Sequence, residues 1–110
     1  MFRVEAYRAA DGKCPFEAWA ESLAPVPARR IRVRIDRLAD GCFGDHKLLP
    51  GAGGVRELRL DFGPGYRIYY GMDGDILVLL LCGGDKSSQR RDIAKAKELW
   101  KDYLSRRVVK

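Results

Sequence analysis

Hydrophobic positions along this chain fall into two periods, and their order sketches a fold. FRVEAYR, residues 2–8, sets Phe2, Val4 and Ala6 against Arg3, Glu5 and Arg8, with Tyr7 breaking strict alternation. That pattern predicts a first strand, closed by the Ala10-Asp11-Gly12 turn. PFEAWAESL, residues 15–23, predicts a short helix: Phe16, Trp19, Ala20 and Leu23 recur at three and four, and Pro15 sits early, where a missing N–H is harmless. The APVP segment after it is expected to break the helix. A second helix should run from Ala28 to about Ala39, with Ile31, Ile35 and Leu38 at i, i+4 and i+7. Arg29, Arg30, Arg32, Arg34 and Arg37 spread over its remaining surface. Two helices this close in sequence should form an antiparallel hairpin, and the glycine-rich stretch 40–54 reads as a connector.

The period then changes to two. VRELRLDF (55–62) puts Leu58, Leu60 and Phe62 on one face and Glu57, Arg59 and Asp61 on the other. YRIYYGM (66–72) puts Tyr66, Ile68 and Tyr70 on one face, with Arg67 and Tyr69 opposite. Between them Gly63-Pro64-Gly65 is a tight turn, since proline fixes φ and either glycine accepts a positive φ. Asp73-Gly74 is a second hairpin signal. ILVLLLC (76–82) is apolar on both sides and should be an interior strand that ends at Gly83-Gly84-Asp85-Lys86. From about Ser88 to Arg107 the helical stripe Ile93, Ala96, Trp100, Tyr103, Leu104 returns, with Ser87 or Ser88 as the expected N-cap. The expected order is β-α-α-β-β-β-α: an α+β fold with one antiparallel sheet, helices against a face, and the first strand inserted or at an edge.

Composition narrows this modestly. With 110 residues, 46% of them apolar, the chain has material for one compact domain, residues 1–110, with its own core. Lys and Arg outnumber Asp and Glu by 21 to 15, giving a formal charge of +6. Such a balance suits a polyanion, a membrane surface or an acidic protein without choosing among them. No uninterrupted apolar leader opens the chain, and 76–82 is too short to span a bilayer. Cys14, Cys42 and Cys82 have no CxxC spacing, so a reduced, cytoplasmic protein is expected. His46 is the only histidine and has no cysteine beside it, so no metal site and no cofactor are expected.

The candidate chemistry lies on the polar face of the hairpin. Arg59 and Arg67 belong to adjacent strands, and a short turn brings them together, with Glu57 and Tyr69 on the same surface. Lys86, Gln89 and Arg90 follow the interior strand, and Lys47 stands in the connector. Guanidinium forks match pairs of phosphate oxygens and stabilise charge developing on phosphorus. Tyr69 is a candidate to stack on a base. The plainer reading is cross-strand ion pairing, Arg59 with Glu57 and Arg67 near Asp61, each pair contributing ~0.2–1 kcal/mol. No Ser-His-acid arrangement and no GxxxxGK[ST] phosphate loop is present.

GVRELRLDFGPGYRIYYG followed by ILVLLLCGGDKSSQRRDIAKAKELW resembles the phage-derived Gp49-like or HigB-like branch of the RelE/ParE toxin superfamily. FEAWAESL, RIDRLADG and GDHK extend the resemblance over nearly the whole chain. It implies a small curved antiparallel sheet packed on two N-terminal helices, and the toxin of a type II toxin–antitoxin pair. RelE-like members cut mRNA on the ribosome without a metal, by attack of the ribose 2′-hydroxyl on the adjacent phosphate. ParE-like relatives act on DNA gyrase instead, and a non-catalytic antitoxin-binding module is a third possibility. The implied partners are a helix-turn-helix, HigA-like antitoxin, the ribosome and mRNA, with DNA met only through the antitoxin. The resemblance makes Arg67, Lys86 and Arg59 the catalytic candidates, and Lys47, Arg56, Tyr69, Gln89 and Arg90 the RNA-binding ones. Glu57 falls where the RelE pattern has lysine and is the candidate acid–base group. The RelE-type C-terminal tyrosine has no counterpart at Arg91-Asp92-Ile93, leaving Tyr69 as its candidate substitute.

Overall fold

A computed structural model describes residues 1–107. Its strands are β1 (Arg3–Ala6), β2 (His46–Leu48), β3 (Arg56–Arg59), β4 (Arg67–Asp73) and β5 (Leu77–Gly84). Its helices are α1 (Pro15–Glu21), α2 (Pro25–Ala39) and α3 (Gln89–Arg106), the last preceded by a 3₁₀ turn at Lys86–Ser88. The fold is α+β, and the order of the helices and the four longer strands is the expected one. Three expectations need correction. The connector contributes a short edge strand, β2, paired antiparallel to β3. The sheet is mixed rather than antiparallel, because β1 lies at the opposite edge, parallel to β5. Finally, α1 ends before the APVP segment as expected, but α2 starts at Pro25 rather than Ala28, since first-turn residues have no intrahelical acceptor for their N–H groups and proline is tolerated there.

Strand order is β1-β5-β4-β3-β2, so the two most apolar strands are interior. Alternation along them serves two cores. On one face Leu58, Ile68, Tyr70, Val78 and Leu80 pack with Phe16 of α1 and Ile31 and Leu38 of α2. On the other face Tyr69, Leu79, Leu81 and Cys82 pack with Ala96 and Trp100 of α3. Helices therefore cover both faces, where only one had been expected. Each fully buried Leu, Ile or Val contributes roughly 1.5–3 kcal/mol through the area it removes from water.

Two features of β5 let helices approach from both sides. The β4–β5 register shifts between Tyr69 and Tyr70, whose partners are Cys82 and Leu80, so Leu81 is an extra residue. Such a bulge places consecutive side chains on one face and restarts the alternation. Beyond it, a Cβ on Gly83 would strike the Trp19 ring of α1, and one on Gly84 would strike Asp92 and Ser88. The sequence expectation ended the strand before these glycines. In the structure they belong to it, because only a strand without side chains admits α1 and the start of α3 so closely.

The far end of α3 is tied down by polar contacts. Trp100 Nε1 donates to Gly53 O at 3.1 Å, Tyr103 donates to Asp73 at 2.5 Å, and Tyr7 donates to Asp102. Trp100 also lies flat against Gly71 of β4, where a Cβ would overlap its ring. Replacing Gly71 by alanine should therefore cost about 1–3 kcal/mol through overpacking. Urea unfolding followed by Trp fluorescence checks this, and an unchanged midpoint would show that the Trp100 ring has room to move.

Candidate nucleic-acid interface

Residue 59 faces residue 67 across the β3–β4 pair, so Arg59 and Arg67 stand side by side on the face that α3 only partly covers. Like charges directly opposite on a sheet repel. The compensating anion is Glu57, two residues before Arg59 and hence on the same face. Its side chain is 0% exposed. Arg59 Nε donates to Glu57 Oε1 at 2.9 Å, Gln89 Nε2 donates to Oε2 at 2.8 Å, and Arg67 Nε approaches Oε2 at 3.8 Å. Arg67 also donates from Nη1 to Gly65 O at 2.9 Å, which holds its guanidinium against the β3–β4 turn. Its Nε is buried without a hydrogen-bond partner.

Burial pushes the Glu57 carboxyl up. Hydrogen bonds from Arg59 and Gln89, with the charges of Arg59 and Arg67, more than reverse this and hold it below its ordinary value. The same hydrogen bond raises Arg59. Glu57 is thus a buried, fully paired carboxylate. Its side chain is closed to solvent and its oxygens are engaged by Arg59 and Gln89, so its geometry is that of a support for the guanidiniums rather than of a free acid–base group. It orients the two guanidiniums. Two cations against one anion leave the cluster a surplus positive charge, and its one neutral donor, Gln89, satisfies Glu57 without neutralising that surplus.

Gln89 reaches Glu57 because the start of α3 is fixed. Asp85 Oδ1 accepts from Ser87 N at 2.8 Å, and these bonds hold Asp85 below its ordinary value. Ser88 donates to Asp92, which fills the space over Gly84. Asp85 therefore caps the 3₁₀ turn, and Ser88, one of the two serines expected as N-cap, holds that position of α3 without a side-chain cap bond. The Lys86 N–H meets Pro64 O at 3.4 Å and Lys86 Cβ lies close to Gly65. The loop after β5 is consequently stapled to the turn that carries Arg67, and Lys86 is exposed beside it.

The other candidates separate. Lys47 of β2 is exposed and faces Glu57 in register, so it extends the basic surface to the sheet edge. Arg90 is exposed at the start of α3. Arg56 does not join them: it pairs with Tyr70 on the opposite face and lines a recess with Phe43 and His46. Tyr69 requires the larger correction. It is 0% exposed, its hydroxyl has no partner, and burial raises its pKa. A ring enclosed beneath α3 has no face to offer a base, and it cannot replace a solvent-accessible tyrosine. The expected Arg67–Asp61 pair is replaced by Arg67 with Glu57. Sequence reasoning missed the Gly84–Ser88–Asp92 contact, whose only trace is the glycine pair before a serine-rich helix start.

No protein-family model matches the chain. Over 85 residues it is 47% identical to an uncharacterized protein of Haemophilus influenzae, an alignment that covers 76% of this chain and 84% of that protein. The chain belongs to the same family as that protein.

Glu57→Gln should lower stability at pH 7 by about 1.5–3 kcal/mol, the usual range for hydrogen bonds to a charged group. Because the folded-state pKa of Glu57 is depressed, its contribution is complete above the unfolded carboxyl value of about 4.3 and is lost as pH falls through the folded value. The gap between wild type and Glu57→Gln should therefore be constant at neutral pH and close below about pH 4. Urea titrations across this range test it, and a gap that persists undiminished into strong acid would rule out the ion pair as its source.

Proposed function

We propose that this chain is the toxin of a type II toxin–antitoxin pair and acts as a ribosome-dependent mRNA endonuclease. The observation that carries the reading is the Arg59–Arg67 pair, held side by side by a buried Glu57 on a sheet face that leaves the Arg59 side chain 36% and the Arg67 side chain 14% exposed, with the exposed Lys86 alongside. The sequence resemblance to the HigB-like branch of the RelE/ParE superfamily points the same way. On this reading the fold is RelE-like, and a HigA-like antitoxin, the ribosome and mRNA are its partners.

Cleavage follows from the charge distribution. The ribose 2′-oxygen attacks the adjacent phosphorus, forming a 2′-O–P bond as the P–O5′ bond breaks. A 2′,3′-cyclic phosphate and a 5′-hydroxyl result. Negative charge accumulates on the non-bridging oxygens in the transition state, where Arg67 and Lys86 oppose it and Arg59 anchors the backbone. Because Glu57 and Gly65 O fix the guanidiniums beforehand, little reorganisation accompanies the reaction. Lys47 and Arg90 flank the pair and attract neighbouring phosphates. His46, the one histidine of the chain, stands on β2 against Phe43 with its ring nitrogen at Gly44 O, and Glu57 is engaged with Arg59 and Gln89. The proposal therefore assigns electrostatic stabilisation and alignment to this chain, and proton transfer to groups that the ribosome-bound RNA supplies.

Arg67→Ala leaves both Glu57 hydrogen bonds intact, since these come from Arg59 and Gln89. It should fold, and it should abolish cleavage. Arg67→Lys, which keeps the charge but loses the fork, should retain a minor fraction. Brief induction without antitoxin, followed by mapping of 5′ ends on translated mRNAs, measures this. New ends with wild type, absent with a folded Arg67→Ala, support the reading. Growth arrest with intact transcripts would move the target to a protein such as DNA gyrase, and absence of arrest would remove the toxin assignment.

A further inference from the structure

A second basic surface lies beyond the end of β3. β2 begins pairing there, and Arg59 N donates to Asp45 O just before its first residue. A groove of about 670 Å³ opens between this edge and α2. Its α2 wall carries Arg29, Arg30, Arg34 and Arg37, and Arg59 lies at its margin, so it adjoins the sheet-face cluster. Among the described residues none of the four α2 arginines forms a salt bridge. Arg30, Arg34 and Arg37 recur at four and three, which stacks like charges on one helix face and destabilises the helix slightly. Burial and then the charge of Arg37 push Arg34 below its ordinary value, against the opposing pull of Asp45 and Asp61. The groove nevertheless keeps Arg34 in place. Its guanidinium lies over Gly44, at φ +63°, where a Cβ would overlap it.

We propose that this α2 groove is a second phosphodiester track, which receives the RNA backbone as it leaves the Arg59–Arg67 pair. The inference rests on the RNA reading above and adds a footprint to it. Three observations favour RNA over an acidic peptide. Arg59 belongs to both surfaces, so a single strand meets them in succession. The arginines from 29 to 37 span about 12 Å of helix at 1.5 Å per residue, a repeated row suited to a repeating charge. Arg30 lies 4.6 Å over the half-buried Phe62 ring, a planar cation–aromatic pair at the groove wall that suits stacking with a base. Substrate recognition therefore extends several nucleotides to one side of the scissile phosphate.

The test compares wild type, Arg30→Gln/Arg37→Gln and Arg67→Ala for binding to a fluorescein-labelled 12-nucleotide RNA, by anisotropy over a salt series. Arg30 and Arg37 are exposed, and matching urea midpoints confirm that the double variant folds. Each lost phosphate contact lowers the log–log salt slope by about 0.7 for single strands, so the double variant should lose up to about 1.4 and bind several-fold more weakly at low salt. A 4-nucleotide RNA, too short to reach both surfaces, should bind wild type and double variant alike. If wild type binds and the double variant matches it in slope and affinity, the groove carries no phosphate and the inference falls while the RNA reading stands. If wild type binds no RNA at low salt, both fall. If poly-glutamate of equal charge displaces the RNA as well as unlabelled RNA does, the groove is assigned to an acidic protein segment instead.

Discussion

A carboxylate with no exposure to water has to be paired, and Glu57 is the group around which this molecule is arranged. An isolated buried carboxylate would cost several kcal/mol or take up a proton. Glu57 avoids both by drawing Arg59 from its own strand, Arg67 from the neighbouring strand and Gln89 from α3. Each donor requires a separate piece of the fold. Arg59 requires only the strand period of two. Arg67 requires the β3–β4 register, set by the turn at 63–65. Gln89 requires α3 to begin at one particular point over β5. The dependence is mutual, because two opposed guanidiniums would repel each other without the anion between them.

The last requirement is met by glycine rather than by contact. At Gly83 the sheet is thin enough for Trp19 on one side, and at Gly84 for Ser88 and Asp92 on the other. The bulge at Leu81 sets which way these two positions face. Without the bulge, Gly84 would turn away from α3 and Gly83 toward it. Packing on both faces of β5 thus positions a polar group several residues away, and the surface chemistry depends on the geometry of the core.

Much of this was legible in the sequence, for identifiable reasons. Strong alternation in 55–62 and 66–72 put Glu57, Arg59, Arg67 and Tyr69 on one face, and the register confirms that grouping. Alternation does not report which part of a polar face another element will cover, so the burial of Tyr69 beneath α3 was invisible. Arg56 was grouped with the RNA-binding residues although its odd spacing from Glu57 and Arg59 already placed it on the other face. Pro25 and Pro27 end α1's reach as expected but also open α2, because a proline signals an interruption and a helix start equally well. β2 has three residues, too few to show a period, and forms because β3 offers it an edge. Parallel pairing of β1 joins positions more than seventy residues apart, which no local pattern encodes. The arginines of α2 were legible individually, but their meeting with Arg59 depends on where β2 begins.

A buried anion at the centre of a surface proposed to bind phosphate looks self-defeating, and the geometry resolves the conflict. Glu57 repels an incoming phosphate, but both its oxygens are engaged with donors, so its field is largely cancelled by the guanidiniums it holds. Without it, Arg59 and Arg67 would separate to relieve repulsion, and binding would have to bring them together again. The carboxylate thus exchanges some net attraction for two cations fixed in advance at one place. Preorganisation of this kind matters most when charge grows during a reaction, because the donors need not move to meet it. A surface used only for binding gains more from a third cation at position 57 than from a carboxylate. On the proposed reading, Glu57 suits chemistry at the Arg59–Arg67 pair better than simple polyanion capture, and the α2 arginines, which form no salt bridge among the described residues, suit the capture itself.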